Sequence, residues 1–384
     1  MEYVIKGGYS MRSPMDQKTF LEFYKNTILG SSNSILNYIC ALLEKENKIT
    51  FEAQCKLGDS NDTIYYSSKR DFKKIITETT TNIKFVGFYE YWEYIKLYKY
   101  SVPLFYEESE NESIEDCLLE SGIKEFDLNN YDPELVLNTS LKEATPMYWK
   151  QNGDIFIKFV LQKSYVLPDT FDQIDYRYPI VIYINKENHI LEVRYDAIKY
   201  NNNVFSNGAY ENILFECINW LQNNLHLRLY LCEHKNILPI INDKQNEDVK
   251  IYKQLMQMDT GASAELTASE STDYVLPFIG ELKELIDENE ELFDQAEDIK
   301  KILLQYLDDK EATASYPYIY IKWVKPVESQ SYIVKIIFEY FSQKYTLLQH
   351  ITGNCKDLGM ERMNDAIKYL CKSGAFSKGN EIKP

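Results

Sequence analysis

The sequence predicts an α+β protein of two or three domains, built from antiparallel β-meanders that are each followed by amphipathic helices. Two stretches of the chain hold three runs of strand-forming residues with turn-rich gaps, and a helical apolar pattern follows each. The strands are expected at 153–168, 178–184 and 189–196 before a helix at 208–225, and at 316–326, 332–341 and 344–351 before a helix at 359–370. With 384 residues, the chain also exceeds the size at which one hydrophobic core usually stops growing.

Changes in composition predict where the domains begin and end. Residues 107–120 hold seven acids and no base, and small polar residues dominate 259–273, as in flexible linkers. The predicted segments are an N-terminal α+β domain at 1–106, an acidic connecting segment at 107–146, a central β-meander-plus-helix domain at 147–258, a flexible linker at 259–273, and a C-terminal domain with a helical segment, a β-meander and a helix at 274–384. The similar order of elements at 154–225 and 316–372 leaves an internal duplication open.

In the N-terminal domain the patterns predict several helices and one hairpin. Pro14 begins a run with helical apolar spacing that ends at Gly30, and a second such run covers 34–45. Residues 48–57 and 63–68 are rich in strand formers and are separated by GDSND, which favours a hairpin. A further helix is expected directly after this hairpin.

Residues 88–100, FYEYWEYIKLYKY, contain seven aromatic rings. On a helix, one stripe would carry Phe88, Tyr91, Trp92, Ile95 and Tyr98. Glu90 and Glu93 fall outside this stripe, and the run has no net positive charge, which disfavours the stacking of nucleic-acid bases. We therefore predict core packing, with Phe88, Tyr91 and Trp92 as interface residues in the alternative that this stripe binds another protein.

A strongly acidic helical segment is predicted over 277–307. Its apolar residues alternate steps of four and three, which is a heptad seam, and Asn289 occupies the one polar position. A single Asn can fix the register of a coiled coil, whereas the sequence DENEE around it is equally typical of the turn in a helical hairpin. In both arrangements Leu285, Asn289 and Leu292 are candidate interface residues.

The charge and cysteine content restrict the classes of partner. The chain has a formal charge of −17, from 42 Lys and Arg against 59 Asp and Glu, which disfavours nucleic acid as a partner. The same charge is compatible with binding to a basic protein, or with a chain that itself imitates nucleic acid. Seven cysteines without a CxxC pair indicate reduced thiols. No stretch approaches 18 uncharged apolar residues, so we expect a cytoplasmic protein that does not enter the membrane.

The sequence lacks the common motifs for phosphate binding and hydrolysis, but it contains two candidate catalytic constellations. Strict alternation of leucines over 225–231 places His226, Arg228 and His234 together on the opposite face of a strand, where imidazoles beside a guanidinium could act on a phosphate ester. A polar sheet face in solvent explains the same pattern.

The second constellation is a metal-dependent nuclease core. Asp175 lies near the start of one predicted strand and Glu192 lies on its neighbour in a probable hairpin, and two acids so placed could hold Mg²⁺. Arg194 stands where such sites usually have Lys, and Arg does not readily give up its proton. Alternation also places Glu192 and Arg194 on one face, where a cross-strand ion pair on a solvated sheet explains both.

These observations favour a non-catalytic interaction or regulatory subunit of a cytosolic multi-protein assembly, with a protein partner or a second copy of the chain as its ligand. A role in bacterial anti-phage defence or phage counter-defence is a further hypothesis. The alternatives are a Mg²⁺-dependent nuclease or phosphodiesterase and an acidic nucleic-acid mimic. Mg²⁺ would be needed only by the nuclease, and no other cofactor is expected.

Overall fold

The computed structural model describes residues 14–51, 63–199, 208–241, 249–257, 261, 263–267, 279–313, 315–323, 332–351 and 359–383. Helices account for 39% of the structure and strands for 34%, so the predicted α+β class is confirmed.

Helices and strands alternate along the described residues. The helices are α1 (Gln17–Leu29), α2 (Asn33–Lys45), α3 (Phe72–Thr80), α4 (Val86–Ile95), α5 (Ile114–Glu120), α6 (Gly208–Asn224), α7 (Ile237–Ile241), α8 (Ile279–Glu288), α9 (Glu290–Asp294), α10 (Glu297–Thr313), α11 (Tyr340–Gln343) and α12 (Glu361–Lys372). The strands are β1 (Ile49–Thr50), β2 (Ile64–Tyr65), β3 (Tyr100–Glu107), β4 (Lys124–Glu125), β5 (Met147–Gln151), β6 (Asp154–Val166), β7 (Gln173–Asn185), β8 (Ile190–Tyr195), β9 (Arg228–Glu233), β10 (Val249–Gln257), β11 (Ser263–Thr267), β12 (Ser315–Trp323), β13 (Tyr332–Glu339), β14 (Tyr345–Ile351) and β15 (Ser377–Glu381).

Strands β3 to β15 form one sheet. Its order is β11-β10-β12-β13-β14-β3-β8-β7-β6-β5-β4, and β9 pairs with both β3 and β15. Neighbouring strands run antiparallel except for β4 and β5. Strand β3 lies in the predicted N-terminal domain, yet it pairs with β8 of the central domain and β14 of the C-terminal domain. The domain boundaries therefore stay a prediction, while the hydrogen bonds of the sheet cross them.

Both faces of this sheet bury side chains, because consecutive residues of a strand point to opposite sides. On what we call the first face, Leu191 and Val193 of β8 belong to a core that also contains residues of α5 and α6. On the second face, Ile190 shares a core with residues of α4, α7 and α12. Polar side chains at positions such as Glu192 are therefore covered by helices.

Helices α1 to α4 bury a third apolar core, which includes Phe20, Ile39 and Phe88. The expected helices are confirmed, and α1 and α2 begin at side-chain caps from Asp16 and Ser32. The expected hairpin is wrong, since β1 and β2 pair in parallel. Parallel pairing needs a long crossover between the strands, and that connection, residues 52–62, lies outside the described residues.

Two predicted connecting segments contain regular structure. In the acidic segment, α5 begins with a reciprocal cap between Ser113 and Asp116 and buries Leu118 against the first face. In the predicted flexible linker, 263–267 is strand β11, whose backbone pairs with β10 and whose Leu266 is buried. This part of the linker prediction is therefore wrong, and most of its other residues lie outside the described residues.

The predicted acidic helical segment consists of three helices, α8, α9 and α10, so the single continuous helix is wrong and the hairpin alternative is observed. Asn289 lies at the break, and its amide donates to the carbonyl of Leu285 at 2.8 Å. Lys283 of α8 pairs with Asp308 of α10 at 3.1 Å, which brings the two ends of the segment together. We call residues 279–313 the acidic helical hairpin.

Candidate functional site

The two acids of the predicted nuclease core do not come together. Asp175 lies near the start of β7, where it accepts from Gln173 at 2.9 Å, while Glu192 of β8 is paired with Tyr183. Eight residues of extended strand separate positions 175 and 183, a distance of roughly 26 Å. Among the described residues, no group of three or more His, Cys, Asp or Glu side chains could hold a metal ion.

Glu192 and Arg194 share one face and form an ion pair, with Arg194 Nε donating to Glu192 at 3.2 Å. Both side chains are buried on the second face, which corrects the expectation of a solvated sheet. Arg194 also donates to the side-chain oxygen of Asn364 in α12 at 2.8 Å. Helix α12 thus covers the pair and supplies part of its hydrogen bonding.

A buried serine and histidine extend this pair. The Ser101 hydroxyl donates to Glu192 at 2.7 Å and lies 3.0 Å from His350 Nε2, while Tyr332 hydrogen-bonds to His350 Nδ1. Because the serine proton is given to Glu192, the neutral ring donates from Nε2 and accepts from Tyr332 at Nδ1. Ser, His and acid are the residue types of a hydrolytic triad, but the serine does not donate to the histidine and all three are buried. We assign this cluster a structural role.

A second ionic cluster lies between α4 and the second face. Arg177 donates to Glu93 from Nε and from Nη2, each at 3.0 Å, and Lys158 donates to Glu93 at 3.0 Å. Both cations also pair with Glu90, which accepts a further hydrogen bond from Tyr24. Burial alone would raise the pKa of Glu90, but Arg177 and Lys158 outweigh it and lower this pKa to about 2. Glu90 is therefore ionised, and the cluster pairs two basic side chains with two acidic ones.

Helix α4 is buried on nearly every side. The predicted helix is observed only as far as Ile95, so Tyr98 lies beyond its end. Glu90 and Glu93, which fall outside the predicted stripe, are buried by the ionic cluster. Phe88 and Trp92 belong to the core of the N-terminal helices, so they are not available to a partner. Tyr91 is partly exposed. It lines a cavity of about 600 Å³ together with Glu46, Glu125 and Trp149.

The residues predicted around β9 are spread along the strand. Arg228 pairs with Glu107 at 2.9 Å, whereas the ring of His234 stacks on Phe338 with centroids 4.1 Å apart. His226 lies before β9 begins and His234 after it ends, and the six residues of this strand alone span roughly 20 Å. These side chains therefore have separate partners and form no common site. Leu225, Leu227 and Leu229 are buried as alternation predicted, and Leu231 is partly buried. Tyr230 and Cys232 on the predicted polar face are buried too.

The predicted interface residues that are well exposed lie in the acidic helical hairpin. Its large apolar side chains with about half or more of their surface exposed are Leu285 at 51%, Leu292 at 65%, Ile299 at 57%, Ile302 at 66% and Tyr306 at 58%. Residues 299, 302 and 306 fall on one side of α10 by helical spacing. Twelve acids and four lysines surround them within 279–313. This combination is the strongest candidate for a binding surface among the predicted site residues.

Comparison of the chain with models of protein families, with curated proteins and with solved structures found no match. Within the part of the chain that the structure describes, no helix is both long enough and apolar enough to cross a bilayer.

Proposed function

We propose that the protein is a non-catalytic interaction subunit that binds a basic amphipathic helix of a partner protein on its acidic helical hairpin. The observation that carries this proposal is the row of exposed apolar side chains on a strongly acidic pair of helices. Single exposed apolar residues are common on protein surfaces, but several within one short segment are typical of binding sites. A role in phage defence stays a prediction.

The charge of the hairpin indicates the kind of partner. An excess of acids around an apolar row repels a second copy of the same surface, so this surface disfavours a symmetric homodimer. A helix with lysine or arginine on its borders and leucine-like residues along its centre satisfies both features. Glu291 and Asp298 are exposed on the hairpin and would face those basic residues.

The proposal is tested with a synthetic peptide of about 20 residues that carries leucines on one helical face and lysines on the other. We expect it to bind the intact protein more tightly than a scrambled peptide of identical composition, and more weakly at high salt because exposed charges are screened. The double variant Ile299→Ser with Ile302→Ser should raise Kd by at least about tenfold, because each Ile loses apolar contact area. Isothermal titration calorimetry measures both effects.

Leu119→Ser is the matched control, since Leu119 is an equally exposed leucine on a helix outside the hairpin. It should bind the peptide like the parent protein. Equal affinity for the ordered and scrambled peptides, or unchanged affinity of the Ile299→Ser and Ile302→Ser variant, would reject the hairpin as the binding site. Circular dichroism of each variant confirms that the fold is retained.

A further inference from the structure

Strands β10, β12 and β13 place lysines and tyrosines together on the first face of the sheet. Tyr318, Tyr320 and Lys335 are partly exposed, while the residues between them, such as Ile319 and Ile336, are buried on the second face. This follows the period of two of a β-strand. The first face is thus apolar and covered at β6 to β8, and polar and aromatic at this end of the sheet.

The register of the strands aligns these side chains in rows. Lys253 of β10, Tyr320 of β12 and Lys335 of β13 lie opposite one another in a single row. Tyr318 occupies the next row, and its ring contacts that of Tyr320 edge to face, with centroids 5.8 Å apart. Lys322 lies on the other side of Tyr320, two residues further along β12. Residues distant in the sequence therefore form one compact surface.

The lysine ammonium groups lie over the tyrosine rings. Lys335 Nζ is 3.7 Å from the ring centre of Tyr318 and 5.3 Å from that of Tyr320. Lys253 Nζ is 5.7 Å from the ring centre of Tyr320, and Lys322 Nζ is 5.4 Å from that of Tyr252. These cation–π contacts hold the positive charges close to the aromatic surface.

Local charge on this surface is opposite to that of the whole protein. Three lysines stand against one acid, Glu265 of β11, which pairs with Lys253 at 2.9 Å and accepts from Tyr318 at 2.7 Å. That hydrogen bond raises the pKa of Tyr318 to about 12, so its phenol stays neutral at physiological pH. Since exposed charges are screened beyond about 8 Å at physiological ionic strength, a nearby phosphate interacts mainly with these lysines.

We propose that this surface, formed by Lys253, Lys322, Lys335, Tyr318 and Tyr320, binds single-stranded nucleic acid. The tyrosine rings would stack on unpaired bases while the flexible lysine side chains move from the rings to phosphates. A duplex hides the flat faces of its bases, so it would use the lysines alone. The proposal concerns a different surface from the acidic helical hairpin and does not depend on it.

The test is fluorescence anisotropy of the full chain with labelled single-stranded DNA and RNA oligonucleotides. At about 50 mM salt we expect binding whose affinity falls with salt along a logarithmic slope of about −2, as three lysine contacts predict for a single strand. Replacing both rings, Tyr318→Ala with Tyr320→Ala, should weaken binding by at least about tenfold because each stacked base is lost. Tyr318→Phe with Tyr320→Phe keeps the rings and should retain most of the affinity.

Lys73→Gln with Lys74→Gln is the matched control, because it removes two exposed lysines of α3 outside this surface. It should leave the affinity nearly unchanged, whereas Lys322→Gln with Lys335→Gln should lower it. Absence of binding at low salt would overturn the proposal. So would equal affinity for heparin or duplex DNA together with no loss in the Tyr→Ala variant, which would identify the surface as a general site for polyanions or acidic proteins.

Discussion

Replacing Arg177 by methionine is expected to lower the free energy of unfolding by about 3–5 kcal/mol, because removing one partner of a buried ion pair leaves an uncompensated charge. Arg177 makes two hydrogen bonds to Glu93 and one to Glu90, and all three side chains are buried. Lys158 alone cannot neutralise both acids. Urea unfolding at pH 7, followed by circular dichroism, measures the change.

Arg228→Met is the matched control for this prediction. Arg228 also pairs with a glutamate, Glu107 at 2.9 Å, but both side chains are well exposed. Exposed pairs contribute about 0–1 kcal/mol, so this variant should unfold nearly like the parent. Adding Glu93→Gln to Arg177→Met should restore part of the lost stability, since only one acid then faces Lys158. Equal effects of Arg177→Met and Arg228→Met would contradict the buried ionic cluster.

Acidification should destabilise the fold through His350. Burial and the charge of Arg194 lower the pKa of His350 to about 3. Because this folded-state pKa lies below the unfolded value of about 6.5, His350 binds a proton in the unfolded chain but not in the folded protein as the pH falls between these values. The stability contributed by the neutral ring is therefore complete above about pH 6.5 and falls by up to about 1.4 kcal/mol per pH unit toward pH 3.

The pH effect is isolated by comparison with His350→Gln, which can still hydrogen-bond to Ser101 and Tyr332 but takes up no proton. The difference in unfolding free energy between parent and variant should shrink as pH falls from 7 to 4.5. Glu90 does not contribute to the change in unfolding free energy between pH 7 and 4.5, because its lowered pKa affects stability only below about pH 4.5. A parallel slope for His350→Gln would show that His350 is protonated in the folded protein.

Local patterns predicted most helices and strands, whereas the burial of charged residues depends on contacts that are distant in sequence. The spacing of Phe88 and Trp92 correctly indicated a helix with a buried stripe. The burial of Glu90 was not predictable from this stretch, because its partners Lys158 and Arg177 are 68 and 87 residues away. Without these partners an acid on a helix is most simply placed in solvent.

The same reason explains the errors at the predicted sites. Alternation placed Glu192 and Arg194 on one face, but only the packing of α12 against the second face shows that this face is buried. The lysine and tyrosine surface was missed because Lys253, Tyr320 and Lys335 are brought into one row by strand register, which no local pattern reveals. A local basic patch within a chain of charge −17 is invisible to its overall composition.

The central claim, that the acidic helical hairpin binds a basic helix of another protein, is tested most directly by site-specific photo-crosslinking in living cells. A photoreactive amino acid replaces Ile302 in one variant and Leu119 in the other, both of which are well exposed in the structure. Mass spectrometry then identifies the crosslinked peptides. We predict that position 302, but not 119, crosslinks to a lysine- or arginine-rich amphipathic helix of one other protein. Crosslinks at 302 to a second copy of this chain, to an acidic segment, or to the same proteins as at 119 would contradict the claim.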